Sequence, residues 1–119
     1  MCGICGIISK HSFNVNIVKR MNKALVHRGP DGEGEYFEDG IALAMRRLSI
    51  IDLKTGWQPL FNENKSLVLI LNGEIYNYIE LKELLSEKGY SFQSKSDTEV
   101  ILAAYDFWKE DCLKYFEGM

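Results

Sequence analysis

Two spacings of apolar residues alternate along the chain, and each implies a different element. Residues 2–8, CGICGII, make a short apolar run with two glycines and are read as a strand. Ile17, Val18, Met21, Ala24 and Leu25 then recur at helical spacing, while Lys19, Arg20 and Lys23 lie off that face. This predicts a helix from Ile17 to Val26 with Asn16 as its cap. The stretch HRGPDGEGE, from His27 to Glu35, holds a proline and three glycines and is expected to be a loop. Tyr36-Phe37 and Ile41 to Arg46 flank Asp39-Gly40, which signals a hairpin with a type I′ turn. A long loop carrying Gly56 and Pro59 is expected from Asp52 to Ser66. The uninterrupted apolar run from Leu67 to Leu71 reads as a buried strand.

Helical spacing returns in the second half. Asn77 is placed to cap a helix from Tyr78 to Lys88, with Ile79, Leu81, Leu84 and Leu85 inward and Gly89 as its stop. Tyr90 to Gln93 reads as a further strand. Ser96 and Glu99 have the S-x-x-E spacing of a capping box, which opens a helix running to about Lys109. Asp111 is expected to cap a short last helix that stops near Gly118. Hairpin strands with helices packed beside them make the fold class α+β rather than a doubly wound parallel sheet. Several strand-like segments have no evident partner, so the expectation is an incomplete domain.

Composition narrows the class without naming it. The 119 residues suit one domain or part of one, and 46% hydrophobic with 26% charged residues is ordinary for a chain that buries a core. A formal net charge of −3 with no basic stripe argues against a nucleic-acid partner. The longest apolar run is far short of a membrane span, and no basic region followed by a long apolar stretch opens the chain. Three cysteines, an odd number, do not make a disulfide framework and fit a reducing, cytoplasmic setting.

The opening MCGICG is where chemistry enters. Removal of Met1 would leave Cys2 with a thiol and a free α-amine on one carbon. A thiol needs ionising before it attacks, and an α-amine titrates near neutrality, so the amine is a ready base for the neighbouring sulfur. The plainer reading, a small residue at a chain start, stands beside this one. A Cys2-x-x-Cys5 metal or redox motif is disfavoured. Zinc wants four ligands, and only Cys112, His11 and His27 remain, at irregular spacing.

Four other stretches have both a plain and a chemical reading. HRGPDG is either a simple turn or a loop of fixed shape. In MRRLSIID, strand alternation puts Arg47 and Ser49 on one face and Leu48 and Ile50 on the other. Arg47 there is either a carboxylate-binding fork or an edge arginine paired with a surface acid. In LNGEIYN, Asn72-Gly73 is a hairpin signal, or else an amide and a backbone N–H aimed at one oxyanion. In SDTEV, Asp97 serves a first helical turn or binds an ammonium group. Together these groups suit an α-amino acid whose side chain ends in a carboxamide.

MCGI, HRGPD, RLSIID, GxQPL, NGEIYN and SDTEVIL, in this order, resemble the glutaminase domain of glutamine-using asparagine synthetases. These are class II amidotransferases with an N-terminal nucleophile. The resemblance runs from Cys2 to the closing EGM. It implies hydrolysis of L-glutamine to glutamate and ammonia through a Cys2 thioester, with Asn72 and Gly73 as the oxyanion hole. It implies Arg47 on the substrate carboxylate and Asp97 on its ammonium, helped by backbone groups of Leu48, Ser49, Ile50, Ile51 and Glu74. The implied fold is an N-terminal-nucleophile hydrolase sandwich, two antiparallel sheets between helical layers. Residues 1–119 would be its N-terminal part, lacking its last strands. The implied partner is a covalently linked synthetase domain, absent here, which uses ATP and Mg to amidate aspartate. No cofactor or metal is expected within this stretch. Two alternatives stay open: a truncated inactive module, whose unpaired strand edges favour homo-oligomers, and the glutaminase domain of another class II amidotransferase.

Overall fold

The computed structural model describes residues 2–49 and 56–119. Met1, Ile50 and Ile51 lie outside the described residues, as do Asp52 to Thr55 of the expected long loop. The order of elements is β1 (Gly3–Ile8), α1 (Asn16–Ala24), β2 (Gly32–Glu38), β3 (Ile41–Arg47), β4 (Leu60–Phe61), β5 (Val68–Leu69), α2 (Tyr78–Glu87), α3 (Asp97–Trp108) and a 3-10 helix (Lys109–Tyr115). Among the described residues this is an α+β chain with two small antiparallel sheets and three α-helices. It forms two compact units.

The first unit contains β1 to β3 and α1, together with Trp57–Pro59 and Ile70–Asn72. Its sheet has the order β1-β3-β2, so β3 is central. Gly3 pairs with Arg46 and Ile8 with Ile41 on one side, and Gly32 with Arg47 and Glu38 with Ile41 on the other. The period of two along β3 decides the faces. Ala42 and Ala44 turn toward α1 and form a core with Val18, against which Cys5, Ile7, Phe13 and Phe37 pack. Arg46 follows on that face and donates from Nε to the Asn22 carbonyl at 3.1 Å. Met45 and Arg47 belong to the opposite face, and both are buried.

Several expectations for this unit change. α1 begins at Asn16 itself, with Val15 at the cap position and no side-chain cap bond. Asn14 serves instead, its Oδ1 accepting from the Asn16 N–H at 3.0 Å. Of the expected apolar face, Val18 is fully buried, whereas Ile17 and Met21 are 38% and 37% exposed and Asn22 takes a buried place. The loop expected over HRGPDGEGE stops early, because β2 starts at Gly32. Its glycines mark close approach: a Cβ on Gly32 would crowd the Trp57 ring, and one on Gly34 would overlap the Gln58 carbonyl. The Asp39-Gly40 hairpin forms, but only Gly40 of the pair has positive φ, at 75°, so the turn is not type I′.

The second unit contains Leu60–Leu69 and Gly73–Met119. The expected long loop yields β4, which pairs with β5 through Leu60–Leu69 and Phe61–Val68. The strand expected over Leu67 to Leu71 is only two residues long and half-buried. Its core joins Leu81 and Leu85 of α2 to Val100, Ala103 and Ala104 of α3, with Ile75 and Cys112 at its margins. Ile79 and Leu84, expected inward, are 56% and 37% exposed. α2 starts after Asn77 as expected, but the Asn77 side chain does not cap it. Its Nδ2 donates to the Tyr115 carbonyl at 2.9 Å and its Oδ1 accepts from the Glu117 N–H at 3.0 Å. Gly89 ends α2 with φ of 97°, and its N–H donates to Ser86 O while the Tyr90 N–H donates to Leu85 O.

Tyr90 to Gln93 is not a strand, since the Gln93 N–H is taken by a side chain rather than by a neighbouring strand. The last helix is 3-10 and includes Asp111 within it rather than at its cap.

Candidate functional site

The expected site residues fall in both units. In the first unit β1 and β3 run antiparallel with Gly3 opposite Arg46. Carrying that register one residue further sets Cys2 beside Arg47. The Leu48 N–H donates to Cys2 Sγ at 3.3 Å, and the thiol approaches the Leu48 carbonyl at 3.6 Å. The sulfur is thereby held against the backbone of Leu48. The Arg47 side chain is 4% exposed, sits on the central strand and lies over the Trp57 ring at 5.1 Å. Arg47 thus stands on the central strand of its sheet and not on an edge strand. Its neighbour Arg46 makes an ion pair, with Nη2 2.6 Å from Glu33 Oε2.

HRGPD has a fixed shape that sequence reasoning only suggested. Arg28 Nε donates to the Cys2 carbonyl at 3.0 Å. The Asp31 N–H donates to the Arg47 carbonyl at 3.0 Å, and Asp31 Oδ2 accepts from the Ser49 N–H at 2.8 Å. Gly29 lies between these contacts, where a Cβ would overlap the Arg46–Arg47 peptide. The loop thus clasps both the opening residues and the end of β3. Arg28 and Asp31 were missed as partners because their bonds run to backbone atoms distant in sequence. The usable signal was the Gly-Pro at the centre of a charged turn.

Asn72 ends the first unit, and the segment before it is held by Gln58, whose Oε1 accepts from the Leu71 N–H at 2.6 Å. The hairpin reading of Asn72-Gly73 fails, since Gly73 is a bend with no strand pair across it among the described residues and neither residue has positive φ. In the second unit Asp97 is 6% exposed, and its Oδ2 accepts from the Ile75 N–H at 2.9 Å. That bond joins SDTEV to NGEIYN one residue beyond Glu74. Asp97 Oδ1 has no hydrogen bond among the described residues. The expected contributions of Ile50 and Ile51 lie outside the described residues.

Burial, then the Glu35 carboxylate, pushes the Cys5 thiol above its ordinary value. Burial, then Glu110, does the same at Cys112. Among the described residues no group of three or more His, Cys, Asp or Glu side chains could hold a metal ion. No described helix is long and apolar enough to cross a membrane.

Comparison with known proteins bears on the whole chain. Asparagine synthetase [glutamine-hydrolyzing] 1 of Bacillus subtilis is 46% identical to it over 124 residues, covering 100% of this chain and 20% of the relative. Asparagine synthetase B [glutamine-hydrolyzing] of Escherichia coli is 41% identical over 122 residues, covering 100% of this chain and 22% of the relative. The asparagine synthetase [glutamine-hydrolyzing] of Zea mays is 41% identical, again across 100% of the chain. The chain thus spans about a fifth of the length of these curated relatives. A family model described as a glutamine amidotransferase domain matches residues 1–119, and the chain belongs to that family.

Proposed function

We propose that this chain hydrolyses L-glutamine to glutamate and ammonia, and that its parent protein uses the ammonia to make asparagine from aspartate. The observation that carries the reading is the Cys2 sulfur, held by the Leu48 N–H at 3.3 Å on the residue that the register sets opposite the buried Arg47. After Met1 is removed, the Cys2 amine takes the thiol proton and Sγ attacks the carboxamide carbon. The tetrahedral oxyanion is stabilised by the Asn72 amide and the Gly73 N–H. The ammonium returns its proton to the departing nitrogen, which leaves as ammonia. A γ-glutamyl thioester remains, and water attacks it to release glutamate and restore the thiol. Arg47 takes the substrate α-carboxylate and Asp97 the α-ammonium, with backbone groups of residues 48–51 and Glu74 completing the grip.

The fuller fold proposed is the sandwich of two sheets between helical layers, in a cytoplasmic protein with a linked synthetase domain. ATP and magnesium would act in that linked domain. Glutamine is selected because both charges of its α-amino acid head are matched while its carboxamide is neutral. Glutamate would bring a second anion toward the nucleophile and is expected to bind less well.

Steady-state ammonia release tests the assignments. Asn72→Ala is expected to lower kcat by about 10²–10³ with little change in KM, since its amide acts on charge that develops in the transition state. Arg47→Ala and Asp97→Ala are each expected to raise KM by about tenfold or more, each removing one charged hydrogen-bond partner of the substrate. An unchanged KM in Arg47→Ala would reject its role.

A further inference from the structure

The Ser96 and Glu99 spacing predicts a capping box in which Glu99 reaches back to the Ser96 N–H. Only half of it forms. Ser96 does cap α3, its Oγ accepting from the Thr98 N–H at 3.2 Å. The Glu99 carboxylate reaches past the cap into the segment before it. Its Oε1 accepts from the Gln93 N–H at 2.8 Å, and its Oε2 accepts from the Ser94 N–H at 2.7 Å and from the Ser94 hydroxyl. Ser94 Oγ in turn accepts from the Ser96 N–H at 3.2 Å. Lys82 of α2 closes the far side, donating to the Ser94 carbonyl at 2.6 Å with its ammonium over the Phe92 ring.

These bonds form a chain from Glu99 through Ser94 and Ser96 to Thr98, and Asp97 lies inside it. Ser94, Ser96, Asp97 and Glu99 are 8%, 4%, 6% and 5% exposed. Buried polar bonds of this kind are costly to break and leave the backbone few alternative paths. Asp97 is anchored on its other side by the Ile75 N–H, which occupies Oδ2. Two sets of buried hydrogen bonds therefore fix where the Asp97 carboxylate sits.

We propose that Glu99 is a positioning residue for the substrate ammonium: by bonding to residues 93 and 94 it fixes the segment that presents Asp97. The inference rests on the reading of Asp97 as the group that takes the glutamine α-ammonium. It says that Glu99 contributes to recognition of one end of the substrate and to nothing at the carboxamide end.

Kinetics of the full-length protein with two substrates test this. One is L-glutamine, and the other is 4-carbamoylbutanoate, which has the same carboxamide arm but no α-amine. Glu99→Ala is expected to raise KM for glutamine about tenfold and to leave kcat within about twofold. For the des-amino substrate kcat/KM is expected to stay unchanged. Glu99→Gln, which keeps the shape and one acceptor, is expected to recover part of the KM and carries the test where alanine does not fold. In an Asp97→Ala background the Glu99 substitution is expected to add nothing to KM for glutamine. Equal losses on both substrates would mean general damage to the unit and overturn the proposal, as would an unchanged KM for glutamine. If Asp97→Ala itself leaves KM unchanged while Cys2 is still required for turnover, the assignment of Asp97 fails and the role of Glu99 fails with it, but the hydrolytic chemistry stands.

Discussion

Replacing Cys2 with alanine is expected to lower glutamine hydrolysis by a factor on the order of 10⁴ or more, because in the proposed mechanism nucleophile and base share that residue and the thioester forms on its sulfur. Binding should survive, since the residues proposed to hold the head of the substrate, Arg47 and Asp97, are untouched. Calorimetry with glutamine should therefore report a near-native Kd in a variant that releases almost no ammonia. Intact mass gives a second handle. A form that retains Met1 has an amide nitrogen at Cys2, which accepts no proton, and it should be as inactive as Cys2→Ala although the thiol is present. Comparable turnover in wild type and Cys2→Ala would end the mechanism.

The thiols can be compared in the same preparation. Burial and a neighbouring carboxylate raise the pKa of Cys5 and of Cys112 above the ordinary cysteine value, so at a given pH less of each is thiolate than of an unperturbed cysteine. An electrophilic glutamine analogue should mark Cys2 and leave both of these unlabelled.

The second large effect concerns stability. Gly34→Ala is expected to destabilise the first unit by about 3 kcal/mol or more, at the upper end of overpacking costs. Gly34 lies in β2 opposite Met45 of the central strand. An added methyl there would overlap the Gln58 carbonyl oxygen and sit 2.8 Å from the Gln58 carbonyl carbon and from Pro59 Cδ. These are backbone and ring atoms with no rotamer to change, so either the strand or the crossing segment has to move. Gly89→Ala is the control, since nothing lies within 4 Å of its Cβ position and only its φ of 97° opposes a side chain. It should cost about 1–2 kcal/mol, from backbone strain alone. Urea denaturation of both variants checks the order, and a Gly34→Ala midpoint at or above that of Gly89→Ala would refute the packing argument.

Movement at Gln58 would also bear on the proposed oxyanion hole. Gln58 Oε1 holds the Leu71 N–H, and the next residue is Asn72. A Gly34→Ala variant that does fold should therefore lose kcat as well as stability.

Local signals predicted local structure well. Ser96 caps α3 because a short hydroxyl side chain satisfies an orphan N–H wherever a helix begins. Gly89 ends α2 because it takes a positive φ without strain. The hairpin at Asp39-Gly40 and the strand at the opening residues follow from similarly short-range rules. The motifs that carry the resemblance were readable on the same footing, since they are fixed strings of residue types.

The failures share a physical cause. A glycine serves equally for a turn and for the close approach of another backbone, and a sequence does not say which. GEGE therefore read as loop, whereas it pairs with β3 as a strand and its glycines leave room for Trp57 and Gln58 to lie close against Gly32 and Gly34. Tyr90 to Gln93 has the residue types of a strand, but the Glu99 carboxylate claims the Gln93 N–H. Ile17 and Met21 keep helical spacing with Val18, yet only Val18 reaches the small residues Ala42 and Ala44.

The sequence by itself determined the class of the fold, the ends of α2 and α3, and the residue types from which a glutamine site would be built, because these depend on side-chain chemistry and on neighbours a few positions away. Only the tertiary structure decided that Cys2 is held by Leu48, that HRGPD clasps the end of β3, and that Glu99 serves residues 93 and 94 instead of its own cap. Each of these joins groups whose meeting depends on how the chain folds back on itself, and no short-range rule specifies that path.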